Sequence, residues 1–163
     1  MIDKLIDHTQ FIEGLKEFKF NENMARILRD GYVYIGGRDE NYFPYIVANL
    51  QDLKIHDPAV RSDLMATIKF VVSVVKKYMM LPGYVEKYHF ILNVEKIGVL
   101  DAKKVFPDVL SIFGENNGFA GFTFIVNPGW AFRAGWGMIS ALLPEGTKQR
   151  TLLVGPKTKY REL

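Results

Sequence analysis

His8, His56 and His89 are the side chains that titrate closest to neutral pH. They fall on separate stretches and share no metal-ligand spacing. There is no cysteine, which removes disulfides, thiolate metal sites and a cysteine nucleophile. His56-Asp57-Pro58 offers an acid/base pair, but an aspartate before proline also reads as an N-cap with proline at the first helical position. Glu95 and Asp101 follow an apolar run, where α/β sites form, yet no nucleophile or carboxylate partner accompanies them. No Gly-x-Ser-x-Gly elbow, P-loop or Gly-x-Gly-x-x-Gly occurs. Residues 118–121 are glycine-rich but lack the strand–turn–helix setting that cradles a phosphate. The residues point to binding rather than catalysis, with no metal and no cofactor.

The elements that position these residues read as alternating strands and helices. Phe11, Ile12, Leu15 and Phe18 share one helical face, and Asn23 caps a second short helix that ends near Asp30-Gly31. Residues 32–35 and 45–50 read as strands, the second opened by Pro44. From Asp57-Pro58 a long helix carries Leu64, Ile68, Val71, Val72, Val75 and Met79 at helical spacing, with Lys69, Lys76 and Lys77 largely off that stripe. In the strand 88–94, Phe90, Leu92 and Val94 alternate with His89, Ile91 and Asn93. A helix over 103–113, interrupted near its start by Pro107, precedes a strand over 121–126, apolar on both sides. Residues 130–143 form a helix and 151–154 a last strand. The fold class is therefore α/β, with a mainly parallel central sheet of about five strands and helices on both sides.

With 163 residues the chain fits one folded unit. It divides into an N-terminal helical segment, 1–29, and a main domain, 30–163. A net charge of +3 is mildly basic, and the lysines are dispersed rather than blocked, so no nucleic acid is expected. Residues 1–8 mix charged and apolar types, unlike a secretory signal. No apolar run reaches the roughly 20 residues that span a bilayer. The expected location is cytoplasmic, with peripheral membrane association.

The segment from Trp130 to Leu143 stands apart. It holds both tryptophans and a single charge, and Trp130, Phe132, Trp136, Met138, Ile139, Leu142 and Leu143 point nearly all round the axis. Surface helices normally show a polar face, and Gly135 and Gly137 each weaken a helix by about 0.5–1 kcal/mol relative to alanine. Two readings follow. In one, the helix is a fully buried central element. In the other, one side covers an internal apolar cavity and the other meets lipid, the glycines letting it swing.

Asn127-Pro128-Gly129-Trp130-Ala131-Phe132, then Trp136, Leu142-Leu143, Thr147-Lys148-Gln149-Arg150 and Thr151-Leu152-Leu153-Val154-Gly155 together resemble the CRAL-TRIO lipid-binding domain. This is the family of phosphatidylinositol/phosphatidylcholine transfer proteins and of retinaldehyde- and tocopherol-binding proteins. Upstream, Gly37-Arg38-Asp39 with Pro44-Tyr45-Ile46-Val47 resembles the family's strand entry, with Phe43 in place of an arginine. The stretch from Tyr88 to Gly98 resembles its next strand. The likeness implies an apolar pocket between the sheet and a mobile gate helix, 130–143. Phe90, Leu92 and Phe124 would line it, and Trp130, Phe132, Trp136 and Ile139 would cover it. Thr147 and Arg150 would hold a polar head group, with Arg38 a further ligand contact. The family's Pro-Glu is replaced by Asn116-Asn117-Gly118, so phosphatidylinositol is not specifically implied. The implied function is non-catalytic binding, transfer or sensing of a lipid or other hydrophobic small molecule at membranes. A protein partner docking on the apolar helix is the alternative.

Overall fold

The computed structural model describes residues 20–114, 118–141 and 143–155. The expected helix over 9–18 lies outside them. Helix α1 (Glu22–Arg29) starts at Asn21, whose side chain accepts the Met24 N–H at 2.9 Å. The expected cap, Asn23, lies inside the helix; both asparagine amides donate to the Asp63 carboxylate, at 2.8 and 3.0 Å. Two asparagines so close offer the same capping chemistry, and the turn geometry selects the first.

Strands β1 (Val33–Arg38) and β2 (Pro44–Asn49) form an antiparallel hairpin. Helix α2 (Pro58–Tyr78) begins as the sequence indicates: the Asp57 carboxylate accepts the Ala59 N–H at 2.8 Å, and Pro58 takes the first position, where its missing donor is harmless. Of its lysines, Lys69 and Lys77 are exposed but Lys76 is buried, its ammonium 4.6 Å from the centre of the Phe119 ring. The long stem reaches into the core edge while the charge finds an aromatic face.

Strand β3 (Tyr88–Asn93) leads to helix α3 (Val99–Gly114), which starts four residues before the expected Lys103 and so carries Pro107 in its interior. Proline there removes one i→i−4 bond, yet the turns on either side persist. Strand β4 (Ala120–Val126), helix α4 (Trp130–Ser140), the short helix α5 (Glu145–Gln149) and strand β5 (Thr151–Val154) complete the described chain. Helix α4 stops short of the expected Leu143 because that residue precedes Pro144, which disfavours helical geometry just before it.

The five strands lie side by side in sequence order, β2 to β5 parallel. That order decides which face the helices take. Right-handed crossovers that always advance in one direction place every connecting helix on the same face. The α/β class with a mainly parallel sheet of five strands stands as read from the sequence, and the core-forming helices α2, α3 and α4 gather on one face of it. On the helix-bearing face Ile46, Ala48, Phe90, Leu92 and Ile125 are fully buried within the core, together with Leu64, Ile68, Phe106 and Phe132. On the other face Tyr45, His89, Ile91 and Phe124 are only partly buried, and Phe122 is exposed. At the C-terminal edge, Asn93 joins its neighbours: its amide donates to Asn49, and its side-chain oxygen accepts from Asn127 at 3.2 Å. None of the described helices is long and apolar enough to cross a membrane.

Candidate ligand site

Helix α4 has two unlike sides. Phe132 and Ile139 are fully buried, and Phe132 meets Phe106 of α3 at 5.4 Å between ring centres and Trp136 at 6.1 Å, nearly stacked. Trp136 closes this group edge-on against Phe106 at 6.5 Å. Gly135 lies against the start of α3: a β-carbon on it would stand 2.7 Å from a Val99 methyl. Its absent side chain serves close helix contact, whereas Gly137 faces open space. On the outer side Trp130 and Met138, two turns apart, are 85% and 55% exposed. Arg133 keeps its own place: Nε donates to the Pro128 carbonyl at 3.0 Å, and the guanidinium packs over Gly155.

A pocket of about 470 Å³ opens on the other side of the sheet. Tyr45, Ile91, Phe122 and Phe124 supply its apolar surface, with Phe43 at one wall. A β-bulge shapes its floor. Between Tyr88 and Phe90 the register against β4 slips by one residue, and the freed Phe122 N–H donates to His89 Nδ1 at 2.9 Å. Gly121 permits this, since a β-carbon there would lie 2.7 Å from that nitrogen. Because Nδ1 accepts, the imidazole proton is assigned to Nε2, which faces the Asp39 carboxylate at 3.3 Å. The other Asp39 oxygen accepts the N–H groups of Asn41 and Phe43, at 2.9 and 2.7 Å. Burial pushes the His89 pKa below the ordinary histidine value, and the Asp39 charge only partly opposes that shift.

Two cations complete the lining, Lys87 and Arg150. The Arg150 guanidinium is oriented by carbonyls, Nη1 on Ala120 at 2.7 Å and Nε on Gly146 at 2.9 Å. Among the described residues no cluster of histidine and carboxylate side chains could hold a metal ion.

The residues singled out from the sequence thus separate into groups. Phe124 and Arg150 line the open-face pocket. Phe90 and Leu92 stand on the opposite, helix-bearing face with Phe132 and Ile139. No residue of α4 lines the open-face pocket, so the helix is not its lid. Thr147 is buried, its carbonyl accepting the Thr151 hydroxyl at 2.7 Å, and it does not share the pocket with Arg150. Arg38 ties the hairpin loop to the end of α2 through the carbonyls of Tyr42 and Met79, at 2.7 and 2.9 Å. Tyr45, Ile91 and Phe122 lie on the strands 45–50, 88–94 and 122–126, whose apolar residues are expected to line a pocket, but they are not singled out there; they share a face with His89, and the period-2 alternation of β3 is the available signal.

A family model, that of the CRAL/TRIO domain, matches residues 28–163. No curated protein matches the sequence. Among solved structures, the crystal structure of Sfh5 superposes with a TM-score of 0.63 at 11% identity, covering 93% of this chain and 57% of that one. The chain therefore spans less than two thirds of that protein, and at such identity the likeness speaks for the fold alone.

Proposed function

The chain belongs to the CRAL/TRIO domain family, and from that premise we propose that it binds a lipid or similar hydrophobic molecule and exchanges it at membrane surfaces through helix α4. Lipid binding or transfer is the role supported at family level. The ligand lies between α4 and the helix-bearing face of the sheet, against Phe90, Leu92, Phe132 and Ile139. Phe106, Phe132 and Trp136 pack against one another where α4 meets α3. Admission of a ligand requires α4 to lift from α3, uncovering apolar surface at about 25 cal/mol per Å². A bilayer offsets that cost by receiving the surface, and the role needs no bond-making step.

One observation carries this reading: Trp130 and Met138 project from the side of α4 opposite its aromatic seal. Indole at a membrane interface is favourable, and a helix this short inserts shallowly and reversibly. Two measurements test it, native mass spectrometry with lipid extraction of the purified protein and sedimentation with phosphatidylcholine vesicles. A bound lipid, with vesicle binding lost in Trp130→Asp, is the expected result. No lipid, no vesicle binding and a stable protein complex through the same helix would replace the carrier with an interaction module.

A further inference from the structure

We propose that the membrane-binding surface extends beyond α4 onto the first turns of α3, and that this part of it recognises anionic phospholipid at a bilayer surface. The inference rests on the reading of α4 as a membrane-binding helix and adds the class of lipid that the surface selects. Exposed apolar side chains flank one close helix contact. Val99 of α3 lies over the bare backbone of Gly135 in α4. Leu100, the next residue, is 77% exposed, and Met138, three residues beyond Gly135, also points outward. With Trp130 they put large apolar groups on the outer side of both helices.

Helical spacing places the charges around that contact. Val99, Lys103 and Phe106 follow one another along a single side of α3, and the first and last of them touch α4: Val99 at Gly135, Phe106 at the rings of Phe132 and Trp136. Lys103, between them and exposed, therefore stands beside α4. Leu100 and Lys104 form the next row outward, both exposed. The acidic residues of α3, Asp101 and Asp108, share the side toward α2, where Asp108 faces Arg61 at 3.9 Å. Helix α4 carries no carboxylate, and its one charge is Arg133. The outer side of the α3–α4 pair thus combines apolar groups with cations, its carboxylates turned toward α2. That is the complement of an anionic bilayer: lysine stems lie along apolar surface while their ammonium groups reach the headgroups. The arrangement also divides the work. When α4 lifts, the Val99–Gly135 contact parts, and Leu100, Lys103 and Lys104 hold α3 on the bilayer while α4 moves into it.

The test uses the full chain and vesicles of two compositions, phosphatidylcholine alone and an equimolar mixture with phosphatidylserine. The mixed vesicles should bind more tightly at low salt. Lys103→Gln combined with Lys104→Gln should reduce that advantage by about fivefold for each lysine and leave binding to phosphatidylcholine alone as it is. Leu100→Ser should weaken binding to both compositions. Lys54→Gln combined with Lys77→Gln removes the same charge at exposed positions elsewhere and should keep the preference. Equal binding of the two compositions by the unaltered protein, or an equal loss in the two double variants, would overturn the proposal. So would self-association that Leu100→Ser abolishes, which would make this face a contact between copies of the chain. Trp130→Asp reads α4 separately and should lower binding to both compositions. If it has no effect while the lysine variant loses its preference, the insertion of α4 fails and the α3 surface stands.

Discussion

The backbone amide of Phe122 donates to His89 Nδ1 at 2.9 Å, in place of a rung of the β3–β4 ladder. The imidazole is thereby part of the sheet's own hydrogen bonding. Protonation would put a second N–H against the first, so the contact exists only with neutral histidine.

Stability should accordingly depend on pH. The His89 pKa is lowered on folding, chiefly by burial. As pH falls below the ordinary histidine value of about 6.5, the unfolded chain takes up the proton first, and the native state loses ground. The contribution is complete above that value and declines until the folded imidazole also protonates. Thermal midpoints recorded from pH 7.5 to 5 should fall, and His89→Gln should flatten the acid limb. An unchanged slope in the variant would place the titration elsewhere.

Gly121→Ala tests the same contact from the other strand. The new methyl would stand 2.7 Å from His89 Nδ1 and 3.0 Å from the Tyr88 carbonyl oxygen. Overpacking of this kind costs about 1–3 kcal/mol. The urea midpoint should drop, and the Phe122 amide resonance should move as its acceptor leaves.

The two faces of α4 predict opposite outcomes for two aromatic truncations. Phe132→Ala removes a fully buried ring and should cost about 3–5 kcal/mol. Trp130→Ala acts on the outer face and should stay within about 0.5 kcal/mol. Chemical denaturation distinguishes them; a large loss at Trp130 would mean that its indole is engaged rather than presented.

Gly135→Ala sets helix propensity against contact. Alanine favours the helix by about 1 kcal/mol, but its methyl would meet Val99 at 2.7 Å. The single variant should be destabilised, and adding Val99→Ala should recover part of that loss. Additive effects in this double-mutant cycle would show that the two residues do not touch energetically.

Asn93→Ala should remove the centre of the amide chain linking Asn49 and Asn127 across the strand ends. A loss of about 1–3 kcal/mol is expected where partners are left unsatisfied. Hydrogen exchange at Glu95, whose N–H is bonded to the Asn93 side chain, should rise with it.

Local chemistry was well written into the chain. Asp57-Pro58 marked the start of α2, and the alternation through His89, Phe90, Ile91 and Leu92 marked β3 and its two faces. What alternation could not reveal was which set faced the helices, because that follows from strand order, a property of the whole sheet. Hence Phe90 and Leu92 were grouped with Phe124, although the sheet separates them. Helix limits failed for similarly physical reasons: Val99 looks like loop until α3 packs on Gly135, and Leu143 looks helical until Pro144 is considered. Lys76 was misplaced because its ammonium follows Phe119, a partner far along the chain. The bulge that aims Phe122 at His89 leaves a trace in Gly121, legible only once the two strands are paired.

Arg133 grips two places at once, the loop entering α4 at Pro128 and the backbone leaving β5 at Gly155, so close that a β-carbon on Gly155 would stand 2.3 Å from Nη2. The helix is therefore not free to tilt alone. The single guanidinium thus sets the start of the helix and the end of β5 together, so a change in the placement of one strains the other.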